Sequence, residues 1–377
     1  MKPFRIGLLG KNASPADGGS STLSAILNPE AIARLTEETV EIVTVPPAAW
    51  LPKRWSPRYL WRRIARCFGG EIPPVNLQPV CRRLRLDAAY FLTPAFARID
   101  LPFIFTLWDL GHRTIPEFPE VSTARGDAWM QREALCRCML GQASFVLVGN
   151  NAGAAEACHF FGLNREKVVA LPFPNPDFSE VEEAVPAWMP TRPFFIYPAQ
   201  FWPHKNHVTL LQAIARLAGS GRTAPDLVFV GADKGNLPHV KSMAAALQLE
   251  KKVHFGGFVS RGELKTLYQR AVGLVFPSLL GPNNLPPQEA AVLGCPMILS
   301  DLAGHREQLG EGALYAPALD AAAWSEAMDQ LASQPQLGRL LIEKAKIAVR
   351  DNTVEAYVKK LGCLFSQMSA RRKLWPS

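Results

Sequence analysis

The sequence has few of the features that mark secreted, metal-binding or membrane-spanning proteins. Its seven cysteines are odd in number and scattered over 377 residues, which disfavours a disulfide framework or a metal site and suits a reduced cytoplasmic protein. No stretch approaches the roughly 18 uninterrupted apolar residues of a membrane-spanning helix. The first apolar run is too short for a signal peptide, and the sequence contains no internal repeat. We therefore expect a cytoplasmic protein, located either in solution or peripherally at the inner face of the plasma membrane.

Charge of one sign is only in modest excess. Lys and Arg number 41 against 33 Asp and Glu, which gives a net charge of +8 with neutral His. Such an excess suits phosphorylated ligands or an anionic membrane surface better than genomic DNA.

Short apolar runs alternate with segments of helical periodicity, as in parallel βαβ units. A first series extends from Arg5–Leu9 to Val168–Leu171 and a second from Phe194–Tyr197 to Ala313–Tyr315. With 377 residues and 48% hydrophobic content, the chain predicts two doubly wound α/β domains. We place the first domain at residues 1–175 and the second at 193–354.

The connection between the two domains is predicted at residues 176–192. The surrounding segment Pro172–Pro193 is rich in proline and acidic residues, and proline at that density prevents a regular element. Helical periodicity returns at Glu355–Lys373. Residues 355–377 are therefore expected to form a helix that crosses back onto the first domain.

Two loops of the second domain carry the residues best suited to bind a nucleotide sugar. In Pro198–His207 (PAQFWPHKNH), Lys205 follows a strand and stands with His204 and Asn206 where a helix begins. A lysine in the first helical turn opposes the helix dipole unless an anion is bound there, so Lys205 predicts a phosphate contact, with a solvated lysine as the alternative. Gly231, after the next strand, would approach the same ligand.

The second loop belongs to Pro277–Ser300. Asn283, Asn284 and Leu285 come just before or at the start of a predicted helix, whose free amides and Asn side chains would point at a phosphate or sugar. Glu289 follows one turn later and would accept hydrogen bonds from sugar hydroxyls. A solvated helix glutamate is the alternative.

Three further loops contain candidate ligand contacts. Gly256 and Phe258, in HFGGFV, would line a base pocket, unless the glycines there form a plain turn. His112, in TLWDLGHRTIP of the first domain, would contact the donor sugar or the acceptor, and a structural histidine is the alternative. Gly18 and Gly19 permit close backbone approach by a substrate but equally describe a tight turn.

The segment Trp50–Phe68 interleaves aromatic and basic residues. This mixture suits insertion at an anionic bilayer surface, and it also suits single-stranded nucleic acid. A helix that covers part of the first domain with its arginines in solvent explains the segment equally well. A membrane surface is the partner we favour over nucleic acid.

These segments resemble retaining glycosyltransferases of family 4, which have the GT-B architecture of two facing Rossmann-like domains with a cleft between them. The resemblance covers most of the chain and is strongest from Phe194 to Pro317, where Lys205-Asn206 precedes a Leu-Pro-Pro-x-Glu-Ala segment. The first-domain stretch WDLGHRTIPEFPE is similar to a subgroup that acts on surface-polysaccharide precursors, such as mannosyltransferase-like enzymes.

The resemblance implies transfer of a sugar from a nucleotide-sugar donor, such as GDP-mannose or another NDP-hexose, to a hydroxyl of a glycan or lipid-linked acceptor. Configuration would be retained, and no metal or other cofactor would be needed. By the same resemblance Lys205 would hold the diphosphate and Glu289 the ribose. The Asn283–Leu285 backbone would hold the sugar and distal phosphate, with His112 near the reacting sugar, and Gly18–Gly19 would face the acceptor or the diphosphate.

The sequence departs from the family's pattern at two places. The first glutamate of the Glu-x7-Glu motif would fall at position 281, which is Gly281, and the arginine that usually precedes the lysine is missing from Ala199–Phe201. Donor-sugar contacts must then differ, with Asn283, Asn284 or His204 compensating.

Three other functions compete with this one. A glycosyltransferase-like binding subunit with weak or no catalysis fits the two departures. A nucleic-acid-binding protein would rely on Trp50–Phe68. An NAD-dependent oxidoreductase is least favoured, because neither domain opens with the G-x-G-x-x-G fingerprint.

Overall fold

The computed structural model describes residues 3–10, 40–46, 74–118 and 128–374. The chain forms two compact units: unit 1 comprises residues 1–174 and 352–377, and unit 2 comprises residues 175–351. Each unit contains a six-stranded parallel sheet, which confirms the predicted α/β fold class.

Unit 1 is built on a sheet of strand order β2-β1-β4-β6-β7-β8, with β3 and β5 forming a separate parallel pair. Every residue of β4, β6 and β7 is buried, as expected for central strands of a parallel sheet covered on both faces. The strands are β1 (Phe4–Leu9), β2 (Val40–Val45), β3 (Val75–Asn76), β4 (Ala88–Phe91), β5 (Ala97–Arg98), β6 (Phe103–Thr106), β7 (Phe145–Val148) and β8 (Val168–Ala170). The described helices before residue 175 are α1 (Gln78–Leu84), α2 (Gly111–Thr114), α3 (Ala128–Gln142) and α4 (Asn151–Phe161).

Unit 2 is built on a sheet of strand order β11-β10-β9-β12-β13-β14. Its strands are β9 (Phe194–Pro198), β10 (Asp226–Val230), β11 (Val253–Gly257), β12 (Gly273–Phe276), β13 (Met297–Ser300) and β14 (Leu314–Ala316). Its helices are α5 (His207–Gly219), α6 (Leu237–Ala246), α7 (Arg261–Arg270), α8 (Leu285–Leu293), α9 (Ala303–Leu309), α10 (Ala321–Ser333) and α11 (Pro335–Val349). The core is one cluster of aromatic and aliphatic side chains around the sheet.

The last helix, α12 (Val354–Arg372), belongs to unit 1. The buried Tyr357 hydroxyl lies 3.1 Å from the Tyr90 hydroxyl of β4, and the ring of Phe365 packs edge-on against Tyr90. The chain thus returns to its first unit after completing the second.

The proline-rich segment between the two sheets contains no helix or strand from Leu171 to Pro193. Its part after Pro174 is held by unit 2: Lys265 Nζ donates to the Val181 carbonyl at 2.8 Å. None of the helices in the described residues has both the length and the apolarity needed to cross a bilayer.

Candidate functional site

The strand order of unit 2 reverses direction between β9 and β12, which lie side by side; the region outside the carboxyl ends of these two strands is termed the crevice. From β9 the chain proceeds through β10 to β11 at one edge, whereas β12 leads to β13 and β14 at the other. In open parallel sheets, ligands bind outside the carboxyl ends of strands at such a reversal of direction. The loop after β9 carries Lys205, and the loop after β12 leads into the helix that carries Glu289. These are the two residues that the sequence predicts to hold the donor.

Lys205 reaches the crevice from a short turn before α5. Pro203–Lys205 form a 3₁₀ turn and α5 begins at His207, so the prediction that Lys205 lies in the first turn of a helix was wrong. Asn206 separates the two with a left-handed backbone (φ 56°), a conformation that Asn tolerates better than most residues. The chain changes direction at Asn206, so Lys205 precedes α5 and is not part of that helix.

The side chain of Asn206 anchors this loop and is not left for a ligand, contrary to the prediction. Its Nδ2 donates to the Pro277 carbonyl at 3.2 Å and to the Ala318 carbonyl at 2.7 Å. Its Oδ1 accepts a hydrogen bond from Thr209 Oγ1 at 2.8 Å. Asn206 therefore ties the loop after β9 to the end of β12.

The Lys205 ammonium meets the loop after β12. Its Nζ lies 3.3 Å from Ser278 Oγ and 3.3 Å from Asn284 Oδ1, and 5.2 Å from the centre of the Phe276 ring. Lys205 itself is partly exposed. The two loops singled out by the sequence thus meet at this cation.

Asn284 takes part in a buried network, where the sequence predicts contact with a phosphate or sugar. Its side-chain Oδ1 accepts from Lys205, and its side-chain Nδ2 lies 2.9 Å from His305 Nε2. Its backbone carbonyl accepts from Gln308 Nε2 at 2.8 Å. Only 8% of Asn284 is exposed. Sequence reasoning missed Ser278, His305 and Gln308. Ser278 is a polar residue shortly after the apolar strand β12, whereas His305 and Gln308 lie in AGHREQL, where Arg306 and Glu307 are equally polar.

Two histidines near Lys205 are uncharged around neutral pH. Burial, reinforced by the Lys205 charge, lowers the pKa of His207 to about 3, and burial lowers the pKa of His305 to about 4. The His207 ring stacks on Phe201 at 4.5 Å. Neither ring adds a second positive charge next to the ammonium.

Gly281 has a backbone that explains the missing glutamate at this position. Its φ is +135°, a region that L side chains rarely adopt, and a Cβ built there would lie 2.7 Å from Asn284 Cγ and closer still to Nδ2. The Asn284 side chain therefore fills the space that any side chain at 281 requires.

Glu289 lies on α8, five residues after Asn284 and about 7.5 Å further along the axis. Its Oε2 accepts a hydrogen bond from the fully buried Tyr268 hydroxyl at 2.8 Å. Burial raises the pKa of Glu289, and the bond from Tyr268 partly offsets this effect. Lys205 and Glu289 thus both belong to unit 2, and Asn284, which contacts Lys205, immediately precedes the helix that carries Glu289.

The start of α8 offers fewer backbone amides than an ordinary helix. Pro286 and Pro287 have no N–H, so Leu285 contributes the amide of the first turn. In the preceding loop, Asn283 Nδ2 is buried and has no hydrogen-bond partner among the described residues. The backbone carbonyl of His204 accepts a hydrogen bond from Leu279 N at 2.9 Å and so joins the loop after β9 to the loop after β12.

The glycines predicted to approach the ligand are required by the protein's own packing. Gly231 (φ +149°) would place a Cβ against the Ala199 carbonyl, and Gly256 would place one against the Trp188 ring. Both observations favour the plain structural reading of these glycines. The side chain of Phe258, in contrast, is 66% exposed after β11.

His112 is buried in unit 1 and has no exposed surface, which agrees with the structural alternative and not with a sugar contact. Its Nε2 lies 3.2 Å from Glu133 Oε2 on α3, and burial lowers its pKa. Glu133 also accepts from Arg113 Nε at 2.9 Å, and Asp109 pairs with Arg132. The charged side chains after β6 are therefore paired within unit 1, whereas His112 Nδ1 is buried without a hydrogen-bond partner among the described residues.

Some predicted features lie outside the described residues: Gly18, Gly19 and the segment Trp50–Phe68. Within the described part of the chain, no three His, Cys, Asp or Glu side chains gather into a set that would hold a metal ion.

Comparison with known proteins shows that unit 2 is similar to an enzyme family. Residues 179–348 match the family model of glycosyl transferases group 1. The O-antigen chain mannosyltransferase RfbU of Salmonella typhimurium is 31% identical over 142 residues, which are 38% of this chain and 39% of that protein. The aligned part thus spans about two fifths of the length of that curated relative.

Solved structures extend the likeness in fold to the whole chain. Sucrose-phosphate synthase of Thermosynechococcus elongatus superposes with a TM-score of 0.71 at 18% identity, covering 97% of this chain and 99% of that one. HepE of Anabaena, solved with UDP and glucose, gives 0.68 at 14% identity, covering 97% and 100%. The fold is that of the GT-B glycosyltransferases, as predicted, and residues 179–348 are similar to the group 1 glycosyltransferases.

Proposed function

We propose that the protein transfers a hexosyl group from a nucleotide-sugar donor to a hydroxyl of a glycan or lipid-linked acceptor during surface-polysaccharide synthesis. The observation that carries this proposal is the Lys205 ammonium, held by Ser278 and Asn284 at the crevice between β9 and β12. The group 1 match and the likeness to RfbU support the reaction class and the acceptor class. The UDP bound in HepE supports a nucleoside diphosphate as the anion.

In the reaction we propose, the acceptor oxygen forms a bond to the anomeric carbon while the bond from that carbon to the phosphate oxygen breaks. Negative charge develops on the departing diphosphate. Lys205 and the Leu285 amide stabilise that charge without reorganising, since both are held in place before the reaction begins. The phosphate leaves on the face that the acceptor enters and takes the acceptor's proton, so that configuration is retained and no bound metal is required.

Glu289 is assigned to the donor ribose. Tyr268 holds Oε2 of the carboxylate at 2.8 Å, which orients the group and leaves Oε1 to accept hydrogen bonds from the ribose hydroxyls. Asn283 Nδ2, buried without a partner among the described residues, is the donor we assign to a sugar hydroxyl in place of the missing first glutamate.

Replacement of Lys205 tests the proposal. Lys205→Ala removes a charge-assisted contact of ~1.5–3 kcal/mol, so binding of UDP or GDP should weaken roughly ten- to a hundredfold and sugar transfer should be lost. The matched control is Lys344→Ala, which removes a lysine of α11 that pairs with the exposed Glu311. Titration calorimetry measures the affinity, and release of nucleoside diphosphate measures turnover. Equal affinities for Lys205→Ala and Lys344→Ala would refute the assignment of the site.

A second candidate function is a glycosyltransferase-like subunit that binds the donor with little catalysis. The conformation of Gly281 favours it, because φ of +135° and the collision with Asn284 exclude an acidic side chain there. The two candidates differ in one measurement. Donor binding that depends on Lys205, with no release of diphosphate in the presence of polysaccharide or lipid-linked acceptors, would identify the binding subunit.

A further inference from the structure

Both acceptors of the Lys205 ammonium are oriented by their other hydrogen bonds. Ser278 Oγ donates its hydrogen to the Leu280 carbonyl at 2.6 Å, so a lone pair of Ser278 faces Lys205. Asn284 is an amide, and one end of an amide accepts while the other donates. The end that faces Lys205 is set by the contacts on the other side of the amide, where Nδ2 donates to the Gly281 carbonyl at 3.3 Å and faces His305.

The contacts of the His305 ring determine its tautomer. Nδ1 lies 2.8 Å from the Ser300 carbonyl oxygen, which can only accept, so Nδ1 carries the hydrogen. The ring has no exposed surface, and burial lowers its pKa to about 4, so Nε2 carries no hydrogen near neutral pH. Nε2 therefore accepts from Asn284 Nδ2 at 2.9 Å, which leaves Oδ1 to Lys205.

Ser300 and Phe276 hold the ring in this position. The Ser300 hydroxyl donates to the Ser278 carbonyl at 2.6 Å, which joins the end of β13 to the loop that carries Ser278. The His305 ring meets the Phe276 ring edge-on at 5.6 Å between centres, and the same Phe276 ring faces the Lys205 ammonium. One small group of side chains thus supports the histidine, the amide and the cation together.

We propose that His305 is a positioning residue of the donor site: its Nε2 orients the Asn284 amide, and the amide oxygen holds the Lys205 ammonium in the crevice. His305 acts through Asn284 because its own ring is closed off from solvent. The identity of the anion that Lys205 meets rests on the proposed function. The hydrogen-bond chain from Ser300 to Lys205 does not.

A substitution at 305 can remove the acceptor that faces Asn284 Nδ2. If the side chain at 305 offers no acceptor to Asn284, the amide loses the shorter of the two contacts of its Nδ2 and keeps only the 3.3 Å contact with the Gly281 carbonyl. A turned amide presents Nδ2 to Lys205, and two donors then face each other. The ammonium leaves its position, and donor affinity falls.

The test is a double-mutant cycle with two variants at 305. His305→Gln can offer an amide oxygen near the Nε2 position, whereas the shorter His305→Asn keeps a polar group near Nδ1 and does not reach Asn284. Each is made in the natural protein and in Lys205→Ala, and UDP and GDP are titrated calorimetrically. We expect His305→Asn to weaken binding about tenfold in the natural background and less than twofold in Lys205→Ala, because residues of one network couple. His305→Gln should stay within about threefold of the natural protein.

The outcomes separate this inference from the proposed function. An equal loss for His305→Asn in both backgrounds overturns the positioning role while the Lys205 site stands. No binding of UDP or GDP to the natural protein, or no effect of Lys205→Ala, overturns the proposed site and the inference with it.

If His305→Asn does not fold, the ring of the natural protein still decides the matter. A ¹⁵N–¹H correlation spectrum of its histidines should show a neutral ring protonated at Nδ1, assigned to residue 305 through the signal lost in His305→Gln. An Nε2-protonated ring would overturn the inference.

Discussion

Substitution of Gly281 by alanine tests whether the loop after β12 is built around the Asn284 side chain. The change introduces two separate costs. A side chain at φ +135° strains the backbone by ~1–3 kcal/mol, and the new Cβ would lie 2.7 Å from Asn284 Cγ, an overpacking that costs a further ~1–3 kcal/mol. We therefore expect Gly281→Ala to destabilise the protein by roughly 2–6 kcal/mol, the sum of the two terms.

Gly235 provides the matched control. It also has a positive φ, +106°, but a Cβ there would meet nothing within 4 Å, so Gly235→Ala contains the strain without the collision. The double variant Gly281→Ala/Asn284→Gly removes the collision and keeps the strain. Its donor affinity should still be low, because the amide that holds Lys205 is gone.

The assay combines urea unfolding with titration of UDP and GDP. The unfolding midpoint should fall more for Gly281→Ala than for Gly235→Ala, and donor affinity should fall only for Gly281→Ala. Unfolding midpoints and affinities that match for the two single variants would refute the reasoning that Asn284 occupies the space at 281.

Two further predictions concern Glu289 and His207. Tyr268→Phe keeps the buried ring and removes the hydroxyl that donates to Glu289 Oε2 at 2.8 Å. The pKa of Glu289 should rise further, and KM for the donor should increase about tenfold while kcat changes less. An unchanged KM would contradict the role of Glu289 in donor binding. The pKa of His207 is lowered from 6.5 to about 3, so the unfolded chain binds its proton more readily than the folded one, and the stability that His207 contributes is complete above pH 6.5 and is lost as the pH falls toward about 3. Between pH 8 and pH 5 the urea midpoint should therefore fall less for His207→Phe than for the natural protein. Midpoints that fall by the same amount in both proteins would contradict this.

Much of the fold can be read from local pattern. Strands such as β6 and β12 are short and continuously apolar, because a central parallel strand is buried on both faces. The helices between them keep helical periodicity, and the prolines after Leu171 prevent a regular element. Alternating elements of this kind leave few architectures open.

The candidate site was predicted only in part. Lys205 and Glu289 stand out because each brings a charge to a segment in which a glycine- and proline-rich loop leads into a helix. Asn206 and Asn284 stand out as polar residues of the same segments, yet their side chains are bound by the protein. His112 looked like a ligand contact because Glu133, which binds it, comes 21 residues later in α3.

By itself, the sequence determined two parallel α/β units and the two loop-to-helix segments that carry Lys205 and Glu289. Strand burial, helix periodicity and turn chemistry are properties of neighbouring residues, so local sequence is enough to predict them. Only the tertiary structure decided that these loops meet and that Asn284 faces Lys205 and His305 instead of a ligand. Lys205 and Asn284 are 79 positions apart, and their contact depends on the strand order that places β9 next to β12. No local pattern encodes that order, because it results from packing all six strands and their helices into one core.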